Sequence, residues 1–432
     1  MRRFRWIVVV VVVGPLGCDP GNGPRTYPPL ILSAVSTGGS HTCGLDAQGA
    51  AHCWGVNSNG ELGVPVGSVP PCPPAQSTHC SPLSQTVTGP ERFSALSAGP
   101  GTIGTETCGL TTTQRAYCWG TRYYADIVIW RADQPDSVPT SLTFGELESG
   151  VSHLCGIATG GAVHCLGSNY AGELGAGLTW TQLEYADTFV AASGGITFRS
   201  IAVGVNYACG LDGGGAAWCW GDNTYGQLGA GDTTDTDCGF FHNLRCVHAP
   251  VAVSGGLAYR WLTAGRNHTC GLTTGGTLYC WGANGASQLG TTAALPTCPG
   301  VPISRPPQPC ATTPRVVSFP GGTQPPLSAA VAGGAHTCAI SVDGDLYCWG
   351  SDQHGQLGLG GSPQACAGPL ACRMQPTLVT GTYFFAVSAG YEHTCAITAA
   401  DEAYCWGAND RGQLGDGTFL DRSRPAAVRR LT

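Results

Sequence analysis

Twenty-three cysteines in 432 residues constrain this chain more than any other feature, because their positions sort into pairs with one left over. Seven pairs share one spacing, with nine residues between partners: Cys43 and Cys53, Cys108 and Cys118, Cys155 and Cys165, Cys209 and Cys219, Cys270 and Cys280, Cys338 and Cys348, Cys395 and Cys405. Four further pairs lie between these: Cys72 and Cys80, Cys238 and Cys246, Cys298 and Cys310, Cys366 and Cys372. Only Cys18 is left over. So many pairable thiols belong to an oxidising compartment, where disulfides persist. Eleven disulfides are therefore expected, with Cys18 outside them.

The spaced pairs head an internal repeat, which sets the architecture before any local reading. First cysteines recur at intervals of 65, 47, 54, 61, 68 and 57 residues. The fifth copy spells the wording in full: Ala264-Gly265-Arg266-Asn267-His268-Thr269-Cys270-Gly271-Leu272, a turn, Tyr279-Cys280-Trp281-Gly282-Ala283-Asn284, and then Gln288-Leu289-Gly290. Tryptophan follows the second cysteine in six copies (Trp54, Trp119, Trp220, Trp281, Trp349, Trp406), and Leu166 does so in the third. The second copy lacks the closing Gln-Leu-Gly and carries Glu106 where most copies have His. Composition agrees with a turn-rich, all-β chain: 66 Gly and 30 Pro, but only 11% charged residues, against about 25% in a typical soluble domain.

The spacing also specifies a hairpin. If Cys43 faces Cys53, Asp46 lies opposite Ala50 and residues 47–49 form a three-residue loop whose last member needs a left-handed backbone. The residues in that slot are Gly49, Gln114, Gly161, Gly215, Gly276, Gly344 and Asp401. Glycine suits it, aspartate tolerates it, and Gln114 departs from the pattern. Directly opposed side chains have Cβ atoms about 4.5–5.5 Å apart, so a small local adjustment lets each repeat staple its own hairpin.

This wording resembles the regulator of chromosome condensation family, whose repeats carry Gly-x-x-His-x-x-x-Leu, Trp-Gly-x-Asn and Gly-Gln-Leu-Gly. The resemblance runs from about Ser33 to Thr432 and implies a seven-bladed β-propeller, here in an exported, cysteine-rich bacterial member. Closure is expected from Pro425-Ala426-Ala427-Val428, read as the strand that completes the first blade beside residues 30–38. Closing the ring removes exposed sheet edges, and a monomer is expected. Eukaryotic members of the family promote guanine-nucleotide exchange on a small GTPase and bind chromatin, so an exchange-factor-like activity is one alternative function. A secreted enzyme with a site in the central channel is another, although no convergent acid, base or nucleophile is legible.

Charge narrows the partners. All 20 basic residues are arginine, which excludes chemistry that needs a lysine: Schiff-base enzymes, phosphate-loop nucleotidases and protein kinases. The net charge of -7 repels phosphate backbones, and no nucleic-acid partner is expected. Residues 1–17 read as an export signal: Arg2, Arg3 and Arg5, an apolar run over 6–13, then Gly14-Pro15-Leu16-Gly17 before Cys18. A small residue directly before a cysteine resembles the bacterial lipoprotein cleavage box, with Pro15 where that box usually has Leu. Cys18 is thus the expected lipidation site, 18–29 a Pro/Gly tether, and 30–432 the propeller. The expected location is outside the cytoplasm, lipid-anchored to a bacterial membrane on its periplasmic or cell-surface side, or secreted.

Several constellations tempt a chemical reading. His41, His153, His268, His336 and His393 stand two residues before a first cysteine, but their spacing fits no compact zinc site, and repetition by blade marks a structural hydrogen-bonding role. Glu61, Glu173, Gln227, Gln288, Gln356 and Gln413 share one slot, and an interchange of carboxylate and amide there speaks against acid-base work. Asp232, Asp235 and Asp237 have calcium-ligand chemistry, but solvation accounts for them more simply. No metal and no cofactor is expected. The four further cysteine pairs begin 18 or 19 residues after a repeat's second cysteine, which places braced loops on one side of blades one, four, five and six. In the corresponding loops, blades two and three carry Tyr123, Tyr124, Trp130, Trp180 and Tyr185. These are either partner-binding anchors or caps over the propeller's own apolar gaps. The function these features point to is a non-enzymatic binding propeller that presents its loops to a protein or glycan.

Overall fold

The computed structural model describes residues 27–430 apart from 74–77, 102–105, 125–126, 232–234, 239–243, 299–306, 362–363 and 366–370. Cys18, Cys366 and Asp232 fall outside it, as do the side chains of Tyr124, Asp235 and Asp237. The described chain is a seven-bladed β-propeller of antiparallel four- or five-stranded sheets. Blade one runs outward from the channel through Ala34–Thr37, His41–Leu45, Ala51–Val56 and Cys80–Thr86. Blades two to seven begin with Phe93–Ala98, Phe144–Ser149, Phe198–Val203, Tyr259–Ala264, Leu327–Ala332 and Phe384–Ala389. Blades four, five and six add a fifth strand, Asp235–Cys238, Thr297–Cys298 and Gln364–Ala365.

The hairpin register is the one the spacing specifies. Cys43 faces Cys53, Asp46 N–H donates to Ala50 C=O at 3.0 Å, and Gly49 has φ 74°. Gln114 and Asp401, both at φ 61°, take the same left-handed turn, so the loop geometry overrides the side chain. All seven pairs are disulfides with Cα atoms 4.0–4.1 Å apart. Cys72–Cys80, Cys238–Cys246 and Cys298–Cys310 are disulfides as well, and Cys372 is disulfide-bonded. The Trp-Gly step has its own cause: the ladder shifts after Cys280, Gly282 adopts φ 102°, and a Cβ there would lie 2.5 Å from the Asn267 carbonyl oxygen.

One detail of closure differs from expectation. The C-terminal strand Arg422–Ala427 pairs with Ala403–Gly407 and forms the outer edge of blade seven, not part of blade one. Each outer strand turns back onto the hairpin that precedes it, the shortest available connection. The residues beyond it join blade seven to the chain's start and to blade one: Val428 C=O accepts from Leu30 N–H at 3.0 Å and Arg429 C=O from Ser84 N–H at 3.1 Å.

Neighbouring blades are clamped by one repeated device. The Gln288 main-chain carbonyl accepts from Thr337 Oγ1 at 2.8 Å and from Trp349 Nε1 at 2.9 Å, both on the next blade. Because Thr337 donates its only proton there, its oxygen accepts from His268 Nε2–H, 2.9 Å away. The Gln288 side chain accepts from Ala286 N–H at 2.9 Å, a task a carboxylate performs equally well, as Glu173 Oε2 does for Ala171 N–H at 2.7 Å. His41, His268, His336 and His393 are thus buried hydrogen-bond donors between blades. All six recurrent tryptophans are fully buried.

The innermost strands expose an edge to the channel, and side chains satisfy it. Ser36 Oγ accepts from Ala98 N–H, Ser97 Oγ from Ser149 N–H, Thr263 Oγ1 from Ala332 N–H and Ser388 Oγ from Thr37 N–H, all at 2.9–3.0 Å across blades. In blade three Glu146 makes an edge bond two residues away along the strands, accepting from Ile201 N–H at 3.2 Å. Strands alternate in direction, so the turns after the first and third strands share one face. That face holds both the channel mouth and the braced loops.

Candidate functional site

The clamp fails at one seam, and the failure is concerted. Blade two has no Gln-Leu-Gly segment to offer the acceptor carbonyl, and blade three has Leu154 and Leu166 where the threonine and tryptophan donors would be. The clamp's donors and its acceptor are therefore lost together at this seam. Apolar rings fill it instead, with Phe144 and Phe189 4.7 Å apart between centroids. Asn at the position two after Trp-Gly normally caps the Gln-Leu-Gly segment, as Asn284 Oδ1 does for Leu289 N–H at 3.0 Å. Blade two has nothing to cap, and Arg122 occupies that slot.

Arg122 pairs with Glu106, the residue in the histidine slot. Its Nε donates to Glu106 Oε1 at 3.1 Å and its Nη2 to Oε2, a two-pronged ion pair with both side chains buried. Burial alone would lower the guanidinium pKa, but the charge and hydrogen bonds of Glu106 outweigh it and raise the value. Trp130 lies over the guanidinium at 5.7 Å from ring centroid to Cζ, and Tyr185 hydrogen-bonds to it. In blade three, His153 is fully buried and neither ring nitrogen has a hydrogen-bond partner among the described residues, because Ala208 replaces the threonine of the next blade.

Of the five aromatics expected to bind a partner, the structure brings Trp130 and Tyr185 together on Arg122. Trp130 also packs against the core of blades two and three, so for it the capping role is real. Tyr123 and Trp180 are half-buried. Blade two extends its outer strands, Ala116–Tyr124 and Ile127–Ser137, into a long ribbon on the loop face, with Tyr123 opposite Val128 and Arg122 opposite Trp130. Val128 is 50% and Ile129 39% exposed on that ribbon.

The channel holds groups that sequence reasoning missed. Its mouth is a cavity of about 310 Å³ lined in part by Ser97, Glu148, Trp261, Arg266 and Tyr391. Burial pushes the Glu148 carboxyl up to about 8, reinforced by the charge of Glu146, and pushes Glu146 up to about 7. Comparing the wall slot across blades would have exposed Glu148, since Ser36, Ser97 and Ser388 stand there in blades one, two and seven. Two carboxyls do converge, contrary to the expectation that no acid or base would. Metal-ligand atom types gather at Cys238, Cys246 and His248 and at Glu106, Cys108 and Cys118, but these cysteines are in disulfides and offer no thiolate.

Family models for the Regulator of chromosome condensation (RCC1) repeat match residues 214–272, 343–397 and 401–432 in one form, and 33–61, 198–227, 262–288, 328–356 and 386–413 in another. Together they cover just over half of the chain. The chain belongs to the RCC1 repeat family. The ultraviolet-B receptor UVR8 of Arabidopsis thaliana is 26% identical over 412 residues, 94% of this chain and 84% of that protein. The secretion-regulating guanine nucleotide exchange factor of Mus musculus is 27% identical over 320 residues, 72% of this chain and 64% of that protein. The crystal structure of Prp20p from Saccharomyces cerevisiae, described with its binding to Gsp1p and histones, superposes with TM-score 0.69 at 20% identity over 89% of this chain and 87% of that one. These relatives are receptors, regulators and exchange factors. Among the described residues no helix is long and apolar enough to cross a membrane.

Stability should peak near pH 6.5, by the following linkage. The buried histidines hold pKa values of about 3 to 4, chiefly through burial, so the unfolded chain binds more protons below pH 6.5 and stability is lost as pH falls. Glu146, Glu148 and Glu173 have raised values of about 7, 8 and 8, and the stability they contribute in acid is lost as pH rises through that range. Calorimetric melting midpoints between pH 4 and 9 should trace a dome, and a profile rising or falling throughout would contradict this assignment.

Proposed function

We propose that this chain is an exported, non-enzymatic RCC1-repeat propeller, lipid-anchored through Cys18, which presents its loop face to a protein partner. The face comprises residues 64–86, 121–138, 176–190, 232–248, 291–313 and 359–374. The observation that carries the reading is the blade-two ribbon, whose exposed Val128 and Ile129 flank Trp130 on the face that also bears the braced loops. Disulfides hold such loops in one conformation and so reduce the ordering cost of binding. Exposed aliphatic side chains beside aromatics suit an apolar protein surface better than a glycan. Protein binding by relatives such as Prp20p supports the same reading.

Affinity capture with residues 19–432 as bait tests it, followed by titration of the captured protein. Trp180→Ala should weaken binding by about 1–4 kcal/mol with little change in melting midpoint. Trp130→Ala should lower both, because that ring also covers Arg122 and the core. If both variants bind the captured protein like wild type, the docking face lies elsewhere.

The anchor has its own test. Residues 1–17 act as the export signal in this reading, and Cys18→Ser should move the protein from the membrane pellet to the supernatant without altering its melting midpoint. A variant that stays in the pellet, or a wild type already in the supernatant, contradicts lipidation.

A further inference from the structure

On the channel wall, the position opposite each first cysteine holds a hydroxyl or a small apolar residue in six blades and Glu148 in the third. The fold does not require that carboxyl. Blades four and six hold Ala202 and Val331 there, Glu146 bonds a different edge N–H, that of Ile201, and Glu148 has one described partner, Ser97 Oγ at 3.1 Å. Glu146 lies two residues away on the same strand face. Neither carboxyl has a cationic partner among the described residues. Ser149, lining the same cavity, carries a buried hydroxyl with no hydrogen-bond partner. Trp261 also lines it, 43% exposed, with its indole N–H fixed on the Ala330 carbonyl at 2.8 Å.

We propose that the channel mouth binds a small organic cation, with its ammonium group on Glu148, backed by the charge of Glu146 on the same strand, and its carbon skeleton against Trp261. Two uncompensated carboxyls in a confined space call for a positive charge, and an accessible indole beside them supplies the cation–π surface that an ammonium ligand uses. The cavity, about 310 Å³, sits at the small end of the roughly 300–1,000 Å³ range of ligand pockets, which favours a ligand of amine or amino-acid size. Arg266 at the mouth does not fill the role, because it is engaged with Tyr391, stacked 5.1 Å from the ring centroid and bonded to the hydroxyl.

Few other groups face the pair. The preceding blade's inner strand offers Ser97, and the strand behind offers His153, held neutral with a pKa of about 3. The following blade offers Arg199, whose guanidinium is bonded to the Asp212 and Tyr259 carbonyls. Proton loss from Glu146 and Glu148 therefore sets the pH dependence of binding.

Titration calorimetry of the oxidised full chain with benzyltrimethylammonium, whose charge does not vary with pH, tests the site. Affinity should rise by about tenfold or more between pH 6 and pH 9. Glu148→Gln should remove most of that rise and weaken binding at pH 9 by about tenfold or more. Glu148→Ser, which installs the residue found at this wall position in blades one, two and seven, should do the same with the fold intact. Trp261→Leu should weaken binding severalfold and keep the pH dependence, while Trp180→Ala, on the loop face, should change neither. Absence of saturable binding at pH 9 with millimolar probe, or undiminished binding in a folded Glu148→Ser variant, overturns the proposal.

Discussion

Replacing Trp281 with alanine should lower the unfolding free energy by about 3–5 kcal/mol, measured by denaturant titration with the disulfides intact. The side chain is fully buried, packs 5.9 Å from the Tyr259 ring and supplies one of the two side-chain donors to the Gln227 carbonyl at 2.9 Å. Gly229, from the preceding blade's Gln-Leu-Gly, sits so close that a Cβ would lie 2.6 Å from the indole nitrogen. Truncation thus opens a cavity between two blades and leaves Thr269 as the one remaining side-chain donor to that carbonyl. Trp281→Leu, which imitates blade three, should recover part of the loss by refilling volume, but not the hydrogen bond. A cost below about 1 kcal/mol for the alanine variant would mean that the clamp does not hold the ring together.

Much of this was legible because the clamp is spelled in local sequence. Each member of His-Thr-Cys, Trp-Gly and Gln-Leu-Gly has a fixed task within its blade or the next, so seven copies announce both blade and ring. The hairpin register followed from cysteine spacing alone, and even Gln114 obeyed it. The chain's last strand was assigned to the wrong blade because Pro-x-x-Val can be read as preceding one hairpin or following another. Pairing decides this, and pairing is a long-range property. Glu146 and Glu148 were overlooked for a related reason. A glutamate two residues from another on a strand is unremarkable in sequence, and its isolation in a channel exists only after seven strands converge. The partner of Glu106 was hidden likewise, since Arg122 lies 16 residues away and meets it only across the hairpin.

That pair supports the last expected result. Arg122→Met should destabilise the protein by about 3–5 kcal/mol at neutral pH, because it strands a buried carboxylate without its counter-charge and strips the cation from beneath Trp130. Removing both charges should cost much less than the single change, since uncharged side chains of similar volume leave no uncompensated charge. Glu106→Gln together with Arg122→Met is the matching double variant, and with Glu106→Gln alone it completes a cycle whose coupling should be about 1–3 kcal/mol. Additive losses would show that the two side chains act independently. The seam then bears on binding as well. If the ion pair orders the blade-two ribbon, Arg122→Met should weaken the captured partner at temperatures where the ring is still folded, because Trp130 and Tyr185 both rest on the guanidinium. Loss of stability with no change in partner affinity would confine the pair to holding blades two and three together.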